Sequence, residues 1–384
     1  MSGKAIILGS CDFSGKKTRT VHFAQADVPL RSISINGDSV VWGGVNASLF
    51  TVQYNPSDTI HQGVIWSISQ GNEYASIDQS SGIMSVLSGA SNNTVTIVAT
   101  STFDSSITAS KSVQVNYIKE PLLWFDGNDV TDHMTDWVNK GTSAQVESPA
   151  AAKVESAEAT NLVMDVNKKC VTAPQQLVSI EYGAGLICDQ SNPFYQVGTG
   201  DFTVMAVVDC PLEYAPDGQY NTDSLYLFGE NRGMHGPSGD LVGRWRFGIN
   251  KVSVNNSSVG NALSLWCNDG SSLNIDSGVS LTSGKHILLA TRSSSMVQFY
   301  VDGVAVGTAQ AFAKTLSETV EQSRETVNCS LRVLTNHLSN PTYAWVNNFI
   351  GDCFEIRFYD IALPQDFIPV LAKNMSDKYN LNIL

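Results

Sequence analysis

The stretch at residues 350–363, IGDCFEIRFYDIAL, constrains the fold more than any other. In an extended chain its residues separate into two sides: Phe354, Ile356 and Phe358 on one, and Cys353, Glu355, Arg357 and Tyr359 on the other. Side chains on a strand alternate between two faces, so this pattern predicts a half-buried β-strand. Pro364 lacks the N–H group that a sheet requires and would end the strand. Residues 365–379 then predict a helix, because several apolar residues lie near helical spacing: Phe367, Val370, Leu371 and Met375.

The length and composition indicate a globular protein of two or three domains. The chain has 384 residues, of which 42% are hydrophobic, enough for packed cores. Only 15% are charged, and small polar residues abound, as on the surfaces of extracellular or virion β-proteins. The formal net charge of -13 argues against a nucleic-acid partner, since duplex binding requires a basic surface.

The cysteine pattern gives little support to metal ribbons or redox motifs. Seven cysteines occur, an odd number, and no two form a CxxC pair. We expect most of them to be buried free thiols, which fits folding in a reducing cytoplasm. The sequence also shows no convincing signal peptide and no apolar run of transmembrane length, so we expect no membrane insertion.

Residues 1–30 form a separate segment in which basic residues cluster within an acidic protein. Lys16, Lys17 and Arg19 predict an arm that attaches to an acidic or capsid surface. An equally open interpretation is a leader strand that packs on the next domain. The run ILGSCDFSGKKTRTVHF resembles the start of fibre-like proteins of Bacteroidetes phages and prophages.

Residues 31–117 predict a β-sandwich of short strands separated by turns. The predicted strands are 32–36, 48–54, 63–68, 74–78, 83–87, 93–100 and 110–115. The phrases GVIWSIS, YASIDQSSGIMSVLSG and VTIVATS resemble the bacterial Ig-like domain, group 2. The segment contains no cysteine, so Trp66 would anchor the core by packing alone. The resemblance implies a spacer or, alternatively, an adhesion module.

Residues 119–384 predict a second all-β domain with a short C-terminal helix. The run VQFYVDGVAVGTA predicts a hairpin with an Asp302-Gly303 turn, since type I′ geometry favours Asp-Gly. This run and FIGDCFEIRFYDIALPQDF resemble laminin-G-like and concanavalin A-like domains. The resemblance implies a jelly roll of two stacked sheets. The stretch 142–160 is poor in large hydrophobic residues and predicts a flexible surface excursion.

Catalysis is not expected. A retaining glycosidase requires two carboxyl groups about 5 Å apart, which one strand supplies only at even spacing. No Glu-x-Asp or Asp-x-Glu pair occurs, and Asp352 and Glu355 would point to opposite faces. We predict no cofactor, and calcium is the one metal with any candidate ligands. Asp126, Asn128 and Asp129 form an oxygen-rich turn, although acidic turns of this kind are common.

Two polar loops are the predicted glycan site, because sugar sites combine aromatic rings with amide and Arg groups. The first loop offers Asn231, Arg232 and His235, and the second offers Asn340, Tyr343 and Trp345. We expect both loops at one rim of the jelly roll. The alternative is that these aromatic residues fill the core or a protomer contact.

These observations together predict a phage virion structural protein, such as a head fibre, capsid decoration or tail fibre. It would be made in the host cytoplasm, assemble as a homo-oligomer with other virion proteins, and display a lectin-like domain. That domain would adhere to host or mucosal glycans through many weak contacts. The alternatives are a purely structural virion protein and an adhesin on a bacterial cell surface.

Overall fold

The computed structural model divides the chain into two compact units, Met1–Ile118 and Lys119–Leu384. The structure describes residues 28–45, 47–131, 136–142, 151–154, 163–173, 186–188, 196–211, 224–231, 244–254, 258–269, 271–317, 319–322, 325–328, 330–333, 349 and 351–383. The predicted attachment residues Lys16, Lys17 and Arg19 lie outside these residues, so the arm and its boundary stay a prediction.

The described part of the first unit is built from β-strands. They are β1 (Ser32–Asn36), β2 (Val40–Gly43), β3 (Ser48–Leu49), β4 (Thr51–Asn55), β5 (Val64–Gln70), β6 (Ala75–Ile77), β7 (Ile83–Val86), β8 (Asn93–Ser101) and β9 (Thr108–Tyr117). β2, β9, β8 and β5 form one sheet, β3, β7 and β6 a second, and β1 pairs with β4. The other predicted strands are confirmed, but the one predicted at 48–54 is divided into β3 and β4, which belong to different sheets. The strand β2, which runs parallel to β9, was not predicted.

One hydrophobic core joins the sheets of the first unit. On β8, buried residues alternate with partly exposed ones, as the sequence pattern predicted. Val95, Ile97 and Ala99 are buried against Phe50 and Trp66 in the same cluster. Trp66 is therefore part of the core of a unit in which no disulfide can link the sheets, as predicted.

The second unit contains most of the described strands, a 3-10 turn at Gly127–Asp129 and the one α-helix of the described residues. The strands up to β19 are β10 (Leu123–Asp126), β11 (Asp136–Val138), β12 (Ala151–Val154), β13 (Val163–Asp165), β14 (Cys170–Ala173), β15 (Leu186–Cys188), β16 (Gln196–Gly198), β17 (Phe202–Cys210), β18 (Ser224–Asn231) and β19 (Arg244–Val254). The rest are β20 (Ser258–Asn268), β21 (Ser272–Asp276), β22 (Gly284–Ser293), β23 (Met296–Val301), β24 (Val304–Ala311), β25 (Leu316–Ser317), β26 (Thr319–Gln322), β27 (Glu325–Asn328), β28 (Ser330–Val333), β29 (Gly351–Tyr359) and the helix α1 (Ile368–Tyr379).

Two eight-stranded sheets stack on each other in this unit. The front sheet has the order β13-β14-β29-β17-β22-β23-β24, and β10 also pairs with β29. The back sheet has the order β11-β12-β15-β28-β18-β19-β20-β21. One apolar core contains residues of both sheets, with the rings of Phe202, Trp245 and Phe358 in mutual contact. The predicted all-β fold class is confirmed.

Strand β29 differs from the half-buried strand that the sequence predicted, since both of its faces are buried. Helix α1 and residues 360–367 cover the outer face of the front sheet, so the polar side of β29 is not exposed to solvent. A bulge also interrupts the alternation, because Val207 pairs with Glu355 while Val208 pairs with Cys353.

The extra residue at this bulge changes which face each neighbour occupies. Cys353 joins the inner core with Ile356, whereas the ring of Phe354 contacts Tyr379 of the helix. The prediction that Asp352 and Glu355 face opposite ways is also wrong. Their partners on β17, Asp209 and Val207, are two residues apart and share a face.

Other local predictions had mixed outcomes. Helix α1 was predicted in place, but Val370, expected on its buried side, is 40% exposed. The Asp302-Gly303 turn is confirmed, with φ of 52° and 78°. The stretch predicted as a flexible excursion contains β12, which joins β11 to β15.

In the described part of the chain, no helix is both long and apolar enough to span a membrane.

Four cysteines, among those that the structure describes, are free and buried, as predicted. They are Cys170, Cys210, Cys267 and Cys353. Burial raises the pKa of the Cys170 and Cys210 thiols to about 12, which keeps these two groups protonated at neutral pH.

Candidate ligand-binding face of the back sheet

The outer face of the back sheet is polar because of the alternation in β19. Trp245, Phe247 and Ile249 are buried in the core between the sheets. The residues between them, Arg246 and Gly248, therefore belong to the opposite face, as does Asn250.

The registers of β20 and β21 extend this face into rows. Arg246 lies opposite Trp266, and Trp266 lies opposite Asn274. The Arg246 guanidinium carbon is 5.4 Å from the centre of the Trp266 ring, a cation–π contact. In the next row, Gly248 pairs with Ser264. We call Arg246, Gly248, Asn250, Ala262, Ser264, Trp266 and Asn274 the outer-face cluster.

The cluster has a buried floor and partly exposed sides. Gly248, Ala262 and Ser264 are small and buried, whereas Trp266 is partly exposed and Asn274 is exposed. Small buried residues thus lie beside a larger, partly exposed aromatic ring on this face. An aromatic ring with a few polar groups beside it is a common feature of small-ligand sites.

Asn250 places a buried acceptor without a described partner in the outer-face cluster. The residue is only 6% exposed, and its Nδ2 donates to Asn274 Oδ1 at 3.4 Å. Its Oδ1 is buried and has no hydrogen-bond partner among the described atoms. A buried acceptor without a donor costs free energy, which a hydroxyl or amide donor would recover where a side-chain movement lets it reach the oxygen.

The residues of the predicted glycan site lie mostly beyond what the structure describes. Asn231 is the last residue of β18, pairs with Ser330, and occupies the same face as Gly229, two residues before it. Five others lie outside the described residues: Arg232, His235, Asn340, Tyr343 and Trp345. The flanking strand ends are informative, since β28 runs antiparallel to β18. One predicted loop follows Asn231 and the other follows Val333, so they leave this strand pair at opposite ends.

The outer-face cluster was missed by sequence reasoning, although its signal was present. In the run RWRFGIN, Trp245, Phe247 and Ile249 alternate with Arg246, Gly248 and Asn250, which is the pattern of a strand with one polar face. Periodicity does show that Arg246 and Asn250 share a face. It does not show which residues of β20 lie opposite them, because register depends on tertiary pairing.

The candidate calcium turn is already paired with lysine. Lys140 Nζ lies 3.2 Å from Asp126 Oδ2 and 3.0 Å from Asp129 Oδ2. Asn128 donates its backbone N–H to Asp126 Oδ1 at 2.9 Å. Among the residues described, no group of three or more His, Cys, Asp or Glu side chains is arranged to hold a metal ion. The turn binds an ammonium group in the place where calcium was considered.

A carboxylate pair does form, between two strands rather than along one. Asp126 on β10 lies opposite Glu355 on β29. Tyr379 Oη is 2.8 Å from Asp126 Oδ1 and 2.6 Å from Glu355 Oε2, and Lys378 Nζ is 2.9 and 2.6 Å from the same atoms. The pair does not show as an even spacing along one strand, because the two residues are far apart in the sequence.

This buried pair is held as a structural ion cluster. Asp126 is 3% exposed and Glu355 is 0% exposed, and Arg357 donates to Glu355. Burial by itself would raise the pKa of Asp126, but its hydrogen bonds and the Lys378 charge outweigh burial and hold that pKa well below its usual range. Burial, with the nearby Glu355 and Asp126 charges, raises the pKa of Tyr379 well above its usual range. The pair attaches α1 to the front sheet and has no exposed surface for a substrate.

No protein-family model matches the sequence, and no curated protein matches it. Several solved structures are similar to parts of this chain. Trypanosoma rangeli sialidase with the inhibitor DANA is 13% identical over 65% of this chain and 32% of its own length, with a TM-score of 0.37. The chain thus spans about a third of that sialidase.

Two further neighbours are isolated binding domains. The binding domain of Botulinum neurotoxin DC, in complex with rat synaptotagmin II, is 10% identical over 67% of this chain and 52% of its own, with a TM-score of 0.41. The CBM40 module of Ruminococcus gnavus IT-sialidase, bound to α2,3-sialyllactose, is 12% identical over 49% of this chain and 96% of its own, with a TM-score of 0.32.

Proposed function

We propose that the second unit binds glycans non-covalently at the outer-face cluster, and that the chain is a virion structural protein that displays this unit. One observation carries the binding proposal: Trp266 and Asn274 lie in one row beside the unpaired Oδ1 of Asn250. An indole ring packs against the apolar face of a pyranose, while amide groups bond to its hydroxyls.

Binding rather than hydrolysis is proposed for this face. A glycosidase of the usual kind requires two carboxyl groups that flank the scissile bond. Among the described side chains of the cluster's rows, Asp276 is the one carboxylate, and it lies opposite Ser264. The Asp126–Glu355 pair is buried under α1 against the front sheet. The expectation that the protein is not an enzyme stays a prediction.

The experiment is a glycan array with the full chain and the variant Trp266→Ala. We expect the variant to lose roughly thirtyfold in affinity, since truncating a central aromatic residue costs about 2 kcal/mol. The matched control is Phe103→Ala, which removes an exposed ring from the first unit. Absence of glycan binding by the unmodified chain would refute the proposal, as would equal affinities of Trp266→Ala and the control.

The virion setting is supported by the composition and by the resemblance of the N-terminal run to phage fibre proteins. Deletion of residues 1–30 should abolish incorporation into particles, as measured by antibody labelling of purified virions. Particles that contain the chain but bind no glycan would instead favour the purely structural alternative.

A further inference from the structure

We infer that Asn274 is a movable cover over Asn250, and that a neutral sugar displaces it and binds the Asn250 amide through two adjacent hydroxyl groups. This inference rests on the proposed function and names the chemical group that is recognised. Two asparagines that are distant in the sheet are in contact, since Asn250 Nδ2 donates to Asn274 Oδ1 at 3.4 Å.

The contact between the two asparagines shows that the outer face is concave there. Asn250 lies opposite Ala262, and Asn274 lies opposite Trp266, four residues further along β20. On a flat sheet the two asparagine Cα atoms would be roughly 16 Å apart, from about 3.3 Å per residue along a strand and about 4.8 Å between strands. Asparagine side chains are too short to close that distance. The sheet therefore curls along this diagonal and brings the Asn250 amide close to the row that contains Trp266.

Small residues under this contact let the two side chains meet. Ser264 and Ala262 belong to the outer face, yet both are 0% exposed. Gly248 lies opposite Ser264 and has no side chain. Asn250 is 6% exposed, whereas Asn274 is exposed. The hydrogen bond thus joins a buried amide to one that reaches solvent, so Asn274 is the side chain that can rotate away.

The cover is held weakly. A donor–acceptor distance of 3.4 Å is long for an N–H···O bond, which is usually about 2.7–3.2 Å. Asn250 Oδ1 stays buried without a described partner while the cover is closed. Exposed side chains change rotamer within nanoseconds, so Asn274 can open at little cost. A ligand that takes its place and also donates to Oδ1 satisfies both atoms of the amide, and the exchange favours the ligand.

The Asn250 amide determines which ligand group fits, because it offers an acceptor beside a donor. Two adjacent hydroxyls of a pyranose match it, since one donates to Oδ1 and the other accepts from Nδ2. An ionised carboxylate only accepts hydrogen bonds and leaves Oδ1 unpaired. The recognised group is therefore the vicinal diol of a neutral hexose, whose ring packs on the exposed part of Trp266.

The test measures the affinity of the full chain for the methyl glycosides of glucose, galactose and mannose, and for their monodeoxy analogues, by titration calorimetry. For a hexoside that binds, we expect removal of either of two adjacent hydroxyls to weaken binding at least tenfold, because each loss leaves a buried amide atom unpaired. Removal of any other hydroxyl should weaken it less than about threefold.

The cover itself is tested with Asn274→Ala. This variant should bind the intact hexoside about twofold more tightly or better, because no side chain then competes for Asn250 Nδ2. Ser272→Ala is the matched control, since Ser272 is exposed and lies two residues earlier on the same strand and face.

A third variant, Asn250→Asp, keeps the shape of the side chain but replaces its donor with a second acceptor. It should lose at least tenfold in affinity, and it should no longer distinguish the intact hexoside from the analogue that lacks the accepting hydroxyl. Circular dichroism checks that this variant is folded, and the deoxy series and Asn274→Ala test the inference without it.

The outcomes separate this inference from the proposed function. Equal affinities for the intact and all deoxy hexosides would refute recognition of the diol and leave glycan binding standing. So would a chain that binds glycans on the array but none of the three hexosides. Unchanged or weaker binding by Asn274→Ala would refute the cover. No binding to any glycan would refute both the inference and the proposed function.

Discussion

At the scale of single residues, the Tyr379 hydroxyl joins two buried carboxylates, one on each of two paired strands. It carries one proton, so it donates to Asp126 or to Glu355 at any moment. Tyr379→Phe would remove a donor from a buried charged cluster, and we expect a loss of about 1–3 kcal/mol in the free energy of unfolding. Urea denaturation measures this loss in the free energy of unfolding. Tyr300→Phe is the control, because this buried tyrosine has no described hydrogen bond through its hydroxyl. Equal losses for both variants would contradict the assignment.

A second prediction at this scale concerns pH. His286 Nδ1 lies 2.9 Å from Asp302 Oδ2, and Nε2 lies 2.9 Å from the Thr282 carbonyl oxygen. Both partners are acceptors, so the doubly protonated ring fits this position. The hydrogen bond with Asp302 raises the pKa of His286, and burial opposes that effect less strongly. The stabilisation is therefore fully present below the unfolded pKa of about 6.5 and is lost as pH rises through the higher folded value.

We accordingly expect the free energy of unfolding to fall as pH rises above about 6.5, and His286→Gln to flatten that dependence. Denaturant midpoints measured from pH 5.5 to 9 test this expectation. Asp302→Asn provides a second variant, because it removes the charged partner while leaving the imidazole in place. A pH dependence that neither variant changes would show that another group is responsible.

At the scale of elements, α1 has one face against the front sheet and the other in solvent. Leu371 is fully buried, and its neighbour Val370 is 40% exposed. Leu371→Ala should therefore lower the free energy of unfolding by about 2–5 kcal/mol, whereas Val370→Ala should change it by less than about 1 kcal/mol. Adjacent positions on one helix share their helical context, so the difference measures burial. Similar effects would mean that the helix does not pack through this face.

The strands also show which features could be predicted from the sequence and which could not. The alternation in β8 and the Asp302-Gly303 turn are local signals, and both predictions were confirmed. The bulge at Phe354 is not local, since it appears only when β29 is paired with β17. The pairing of Asp126 with Glu355 has the same origin, as do the rows of the outer-face cluster. Period-two patterns predict which residues share a face of one strand, but register between strands depends on the assembled sheets.

At the scale of the whole molecule, each unit has its own core. The core cluster around Trp66 contains residues of the first unit, and the cluster around Trp245 contains residues of the second. Trp66 is buried, and Trp66→Ala should cost about 3–5 kcal/mol, more than many domains of this size can lose without partial unfolding. Because the cores are separate, we expect calorimetry to show that the transition of the first unit shifts to lower temperature while that of the second is unchanged.

The same variant also tests whether the first unit is a spacer and the second unit alone binds the glycan. If the first unit is a spacer and the second binds ligand, Trp66→Ala should leave glycan affinity in solution unchanged. Trp266→Ala should reduce that affinity and should shift neither thermal transition by more than a few degrees. The substitutions remove the same side chain from the two units, so they form a matched pair. A loss of affinity in Trp66→Ala would contradict the spacer role, because binding at the back sheet would then depend on the folded state of the first unit.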